Sequence, residues 1–123
     1  MLTVAIIGAS TDRNKYGNKA VRAYVRQGWT VYPVNPKADS IEGLKAYRTI
    51  LDVPQPIDRV SVYLPPDVGM TAIENIAKAK PGEVFLNPGS ESPELIERGQ
   101  ALGLTVIVAC SIVDIGLTPA QVG

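Results

Sequence analysis

The sequence has no histidine, one cysteine and one tryptophan. Without histidine there is no imidazole acid or base, no phosphohistidine and no His-ligated metal. With Cys110 alone no intrachain disulfide can form, and no Cys–His pair can activate the thiol. The default reading of Cys110, behind an apolar strand, is a small buried hydrophobe; facing a ligand, it could form a mixed disulfide with a thiol. No apolar run approaches the ~18 residues that a membrane span requires. The opening Met1 to Gly8 is too short and unflanked for a signal peptide, which predicts a cytoplasmic protein that does not engage membranes. Aromatic residues make up only 6% and are not interleaved with a dense basic run, so nucleic acid is not an expected partner. Asp12, Asp58, Asp67 and Asp114 are scattered over turns and form no dyad, and neither a catalytic residue nor a metal ligand is assigned.

What remains is a globular composition, 46% hydrophobic and 20% charged over 123 residues. That length predicts a single domain over residues 1–123, with no room for a second catalytic domain. The formal net charge is zero, yet residues 1–48 carry eight Lys/Arg against three acids. The rest of the chain reverses the balance, so the N-terminal half is the expected place for an anionic ligand.

Leu2 to Ile7 is a nearly continuous apolar run ending at Gly8, the pattern of a strand buried on both faces of a parallel sheet. From Gly17 to Gln27 the residues Ala20, Val21, Tyr24 and Val25 share a helical face, and Gly28 stands where a helix-ending glycine belongs. Residues 30–34 read as a second strand, in which Pro33 limits pairing on both sides. Residues 37–57 are less regular, with a turn at residues 41–44 and a short helix from Thr49 to Val53. Then come a strand at Arg59 to Leu64, a helix at Asp67 to Ala79, a strand at Glu83 to Leu86, a helix at Pro93 to Leu102 and a strand at Leu104 to Ala109. The alternation predicts an α/β fold, a doubly wound five-stranded parallel sheet of order 3-2-1-4-5 in a three-layer sandwich.

In such sheets the ligand lies beyond the carboxyl ends of the strands. At the first end, Gly8 permits a tight turn, Ala9 and Ser10 are small enough for amides to approach an anion, and Gly17 opens a helix with Lys15 beside it. The spacing from Gly8 to Gly17 is not the dinucleotide glycine motif, and a plain strand-to-helix turn is the competing reading. At the second end stand Asn35, Pro36 and Lys37, where dinucleotide folds place an acid for a ribose diol. A cation there suits a phosphorylated ribose, and the prolines offer a flat surface for adenine; a Pro-rich turn with a solvated lysine is the alternative. Leu64, Pro65 and Pro66 supply a rigid apolar wall, and Asn87, Pro88 and Gly89 an amide side chain with a pliant backbone.

Residues 4–10 with Lys15 and Gly17, then residues 31–37, resemble the CoA-binding domain family, a Rossmann-like module also found at the N-terminus of the succinyl-CoA synthetase alpha subunit and of ADP-forming acyl-CoA synthetases. Residues 41–43, 52–54, 57–58, 64–66, 87–89 and Cys110 extend the likeness over almost the whole chain. The resemblance implies that Ala9, Ser10, Lys15, Tyr16 and Gly17 surround the CoA pyrophosphate, and that Asn35, Pro36 and Lys37 hold the adenosine with its 3′-phosphate. It implies that Leu64, Pro65, Pro66, Leu86, Asn87 and Pro88 flank the adenine and the start of the pantetheine arm. Ligase activity does not carry over, because the phosphohistidine of the ligases has no counterpart here.

The expected function is therefore non-covalent binding of coenzyme A or an acyl-CoA, without catalysis. The alternative on the same fold is an NAD(P)-binding oxidoreductase or nucleotide sensor. A third is a subunit that docks onto a separate ligase or acyltransferase partner.

Overall fold

The computed structural model describes residues 2–123. The chain runs β1 (Thr3–Ile7), α1 (Tyr16–Arg26), β2 (Thr30–Val34), a small hairpin of β3 (Ser40–Ile41) and β4 (Leu44–Lys45), then β5 (Arg59–Val62). It continues α2 (Pro66–Lys78), β6 (Glu83–Leu86), α3 (Pro93–Ala101), β7 (Val106–Val108) and α4 (Ser111–Asp114). Single 3-10 turns occupy Ile50–Asp52 and Pro119–Val122.

Alternation along β1 builds two cores at once. Successive strand side chains point to opposite faces; Val4 and Ile6 join one buried cluster, and Ala5 and Ile7 the other. The first cluster takes in Ala20, Val21, Ala23 and Tyr24 of α1 and Ile112 of α4. The second takes in Ile73 and Ile76 of α2 and Leu95 of α3. Helices therefore cover both faces of a five-stranded parallel sheet, the Rossmann-like three-layer α/β arrangement expected from the sequence.

The strand order corrects one expectation. The sheet runs β2-β1-β5-β6-β7, so the third long strand lies against β1, not outside β2, and the predicted 3-2-1-4-5 becomes 2-1-3-4-5. The outer side of β2 explains the difference. Within a strand a residue's N–H and C=O point the same way, and Pro33 has no N–H to offer there. Its carbonyl accepts from the Tyr47 amide at 2.9 Å, and the Asn35 amide donates to the Tyr47 carbonyl at 2.9 Å. The segment after the hairpin thus closes an edge on which no further strand could pair in full. The reversal of winding falls between β1 and β5.

The α1-facing side of β5 is polar. Arg59 donates to Glu83 at 2.6 and 2.8 Å and to Asp114 at 2.8 Å, with its guanidinium 5.0 Å from the Trp29 ring centre and 4.3 Å from that of Phe85. Burial opposes the charge, but hydrogen bonds with Tyr24 and Glu83 outweigh it and hold the guanidinium above its ordinary value. This tie fastens the end of α4 to the sheet.

Candidate functional site

The carboxyl ends of β1 and β5 meet at Gly8. Its backbone takes φ +85°, and a Cβ there would stand 2.8 Å from the Tyr63 carbonyl oxygen; only glycine accepts both constraints cheaply. Helix α1 then sits directly over this turn, since a Cβ on Gly17 would lie 2.1 Å from the Gly8 carbonyl oxygen.

The loop between them is held from within. The Ser10 hydroxyl accepts from the Asp12 amide at 3.0 Å, Asp12 accepts from the Asn14 amide at 3.0 Å, and fully buried Asn18 donates to the Ser10 carbonyl at 2.9 Å. Glu42 in the hairpin accepts from both Arg13 and Asn18, fixing the outer side of the loop. No side chain caps α1 and no acid occupies its first turn. The Tyr16 and Gly17 amides at its start therefore have no capping side chain, an arrangement that, with the positive end of the dipole, suits an anion.

Two clefts open from this turn. One, of about 480 Å³, runs between the end of β2 and α2; Val34, Pro36, Ile50, Val68 and Ala72 form apolar walls, with Arg48, Thr49 and Asn75 as polar groups. The other, of about 510 Å³, runs toward α4 between Tyr16, Pro65, Pro88, Ser90, Cys110 and Pro119. Both are bordered by Gly8, Lys15, Tyr63 and Leu64, so they form one groove across the switch point. No carboxylate lines either cleft, and the cations in them are Lys15 and Arg48.

Most residues proposed from the sequence gather here. Gly8, Ala9, Ser10, Lys15, Tyr16 and Gly17 surround the turn, Asn35 and Pro36 border the first cleft, and Leu64, Pro65, Asn87 and Pro88 border the second or the junction. Three do not. Lys37 is exposed beyond the cleft, its amide donating to Asn35 Oδ1 at 2.7 Å. Pro66 begins α2 and borders neither cleft. Leu86 is 1% exposed and packs in the α2–α3 core, because strand alternation places it on the same face as Val84. Cys110, expected to be buried, is half-buried and lines the second cleft.

The two asparagines are fixtures of the site. Asn35 donates to the Ala9 carbonyl at 2.9 Å and accepts from Lys37, binding the end of β2 to the turn after β1. Asn87 donates to Ser61 Oγ and to the Val62 carbonyl, both at 2.9 Å, and accepts from the Ser111 amide at 2.8 Å. Both amide hydrogens of Asn87 are thus committed. Arg48, Tyr63 and Asn75 are not among the site residues expected from the sequence, Arg48 entering there only in the charge balance of residues 1–48, although Val68, Ala72, Asn75 and Ile76 fall on one face of an expected helix.

Tyr63 closes the floor where the clefts join. Its hydroxyl lies 3.3 Å from Ser111 Oγ, and burial pushes the phenol up to about 12. Above pH 10 the unfolded chain gives up this proton while the folded one keeps it, so stability falls as pH rises toward 12. Tyr63→Phe should therefore show a smaller fall in Tm than the wild type between about pH 9 and about pH 11. Tyr24, raised by its own burial, keeps the remaining dependence. Equal falls in both proteins would contradict the assignment.

Among the described residues no group of three or more acids and cysteine is placed to hold a metal, and no helix is long and apolar enough to cross a membrane. A family model described as a CoA binding domain matches residues 2–116. The chain is 32% identical over 117 residues to the alpha subunit of ADP-forming acetate–CoA ligase II from Pyrococcus furiosus, covering 85% of this chain and 25% of that one. A conserved hypothetical protein from Pyrococcus furiosus superposes with a TM-score of 0.85 at 31% identity, over 93% of this chain and 99% of that one. The dinucleotide forming acetyl-coenzyme A synthetase 1 of Ca. Korarchaeum cryptofilum, solved with phosphate and ADP, superposes with a TM-score of 0.77 at 31% identity, over 87% of this chain and 25% of that one. The chain thus spans about a quarter of the length of these ligase and synthetase chains.

Proposed function

Because the chain belongs to the CoA binding domain family, we propose that it binds coenzyme A or an acyl-CoA non-covalently along the groove and performs no chemistry of its own. The observation that carries this reading is the meeting of two clefts at an uncapped helix N-terminus with a lysine beside it. A diphosphate fits that junction, and each of its two arms then has an apolar channel to follow.

The adenosine occupies the cleft between β2 and α2, with the ring against Pro36, Val68 and Ala72. The diphosphate lies over Gly8 to Gly17 with Lys15 as its counter-charge. The pantetheine arm follows the second cleft past Pro65 and Pro88 toward Cys110. The absence of histidine from the sequence supports binding without phosphoryl transfer. The likeness to parts of ligases supports a separate ligase or acyltransferase as the protein that uses the bound ligand. A cytoplasmic location is part of the same proposal.

Native mass spectrometry of the purified protein, with calorimetric titration of CoA and of 3′-dephospho-CoA, tests the reading. The expected result is a bound CoA species or binding of CoA on titration, with NADPH a weak competitor. Binding of neither CoA nor dephospho-CoA would overturn it, as would tighter binding of NADPH.

A further inference from the structure

Most cations of this chain are already engaged. Arg13, Arg59 and Arg98 form ion pairs, Arg22 and Arg26 donate to carbonyls, and Lys19 and Lys45 lie over tyrosine rings. Among the described residues, Lys15, Lys37, Arg48, Lys78 and Lys80 have side chains with no such partner. Lys78 and Lys80 lie at the far end of α2, away from the carboxyl ends of the strands. Lys37, the residue that the sequence favours for a ribose phosphate, borders neither cleft. Lys15 and Arg48 remain, one at the junction of the clefts and one in the cleft by the end of β2.

We infer that Arg48 is the residue by which this chain recognises a phosphate monoester on the ribose of its ligand. The inference rests on the CoA reading for the identity of that ligand. A CoA molecule carries a diphosphate and, on its ribose, a separate monoester. The groove offers an unengaged cation at the diphosphate position and a second beside Asn35, Pro36 and Thr49. Arg48 is exposed, free of carboxylates and in a cleft that no acid lines, so the ligand meets no internal competitor for it. A guanidinium also presents paired N–H donors that match the oxygens of a phosphate.

The test is calorimetric titration of the wild type, Arg48→Gln and Lys37→Gln with CoA, 3′-dephospho-CoA and NADPH. Both substitutions are at exposed, unpartnered side chains, and unchanged melting curves confirm that the variants fold. The wild type should prefer CoA over dephospho-CoA, and Arg48→Gln should lose about tenfold to a hundredfold for CoA alone. Lys37→Gln should keep most of the preference. Collapse of the preference in Lys37→Gln but not in Arg48→Gln would overturn the inference, as would equal losses for both ligands in Arg48→Gln. Equal affinity of the wild type for the two would overturn the role of Arg48 and leave the CoA reading standing. Tighter binding of NADPH, lost in Arg48→Gln, would keep the role of Arg48 and overturn the CoA reading. Binding of none of the three would overturn both.

Discussion

Gly17→Ala should abolish CoA binding and lower Tm by about 10 °C or more. The added methyl would stand 2.1 Å from the Gly8 carbonyl oxygen and 3.3 Å from the Ala9 Cα. Those are backbone atoms, and the Gly8 turn has so little room beside it that a Cβ there would stand 2.8 Å from the Tyr63 carbonyl oxygen. Nothing flexible can yield, so the first turn of α1 must move off the loop. The cost is at the upper end of overpacking, about 3 kcal/mol or more. The movement also withdraws the leading amides and Lys15 from the position of the diphosphate. Gly28→Ala is the control: its φ is also positive, +85°, but nothing lies within 4 Å of the added Cβ. It should cost about 1–2 kcal/mol and leave affinity unchanged. Thermal melts and titration on both variants check this, and wild-type binding by a folded Gly17→Ala would contradict the placement of the anion.

Asn87→Ala should cost about 2–4 kcal/mol, again near 10 °C in Tm. Asn87 is 1% exposed and joins the ends of β5 and β6 to the start of α4 by three hydrogen bonds. Truncation orphans the buried Ser111 amide and leaves a space at the edge of the second cleft. Ser61 Oγ keeps its 2.6 Å contact with Ser111 Oγ, which limits the damage to less than loss of the fold. Since Cys110 and Ser90 form the wall beside this residue, CoA affinity should fall several-fold as well, through loss of position and not of a ligand contact. Unchanged Tm and affinity would show that the network carries neither burden.

The contrast between these two residues shows what was legible in the sequence. The glycine turn was visible because strand, small residues and helix follow in a fixed local order, and local order is what sequence records best. The bounds of β2 and β6 agree with expectation to the residue, since apolar runs ended by Asn-Pro leave little choice. Asn35 and Asn87 stand out in the sequence as positions at strand ends, but their partners lie far along the chain, so the sequence alone cannot tell a group that ties strand ends together from one that faces a ligand. Leu86 was misplaced for a simpler reason: strand parity with Val84 already put its side chain in the core.

The strand order failed although its signal was present. Pro33 limits the pairing of β2, and on the outer edge that limit excludes a further full strand. What could not be read is how residues 35–58 return across the sheet, because strands of two residues, β3 and β4, have no periodicity to detect. Arg48 lies in that stretch, which is why the cation that faces the cleft was missed in favour of Lys37, three residues beyond β2. The four-residue α4 escaped for the same reason.

In the proposed complex a CoA molecule lies across the carboxyl ends of the strands, over the turn from Gly8 to Gly17. Amide NMR of isotope-labelled protein titrated with CoA reads that placement residue by residue. The predicted result is a set of shifted amides at Gly8, Ala9, Ser10, Tyr16, Gly17 and Gly89, with Gly28, Gly82 and Gly103 at the opposite end of the sheet unmoved. Shifts confined to that opposite end, or none at saturating CoA, would contradict it.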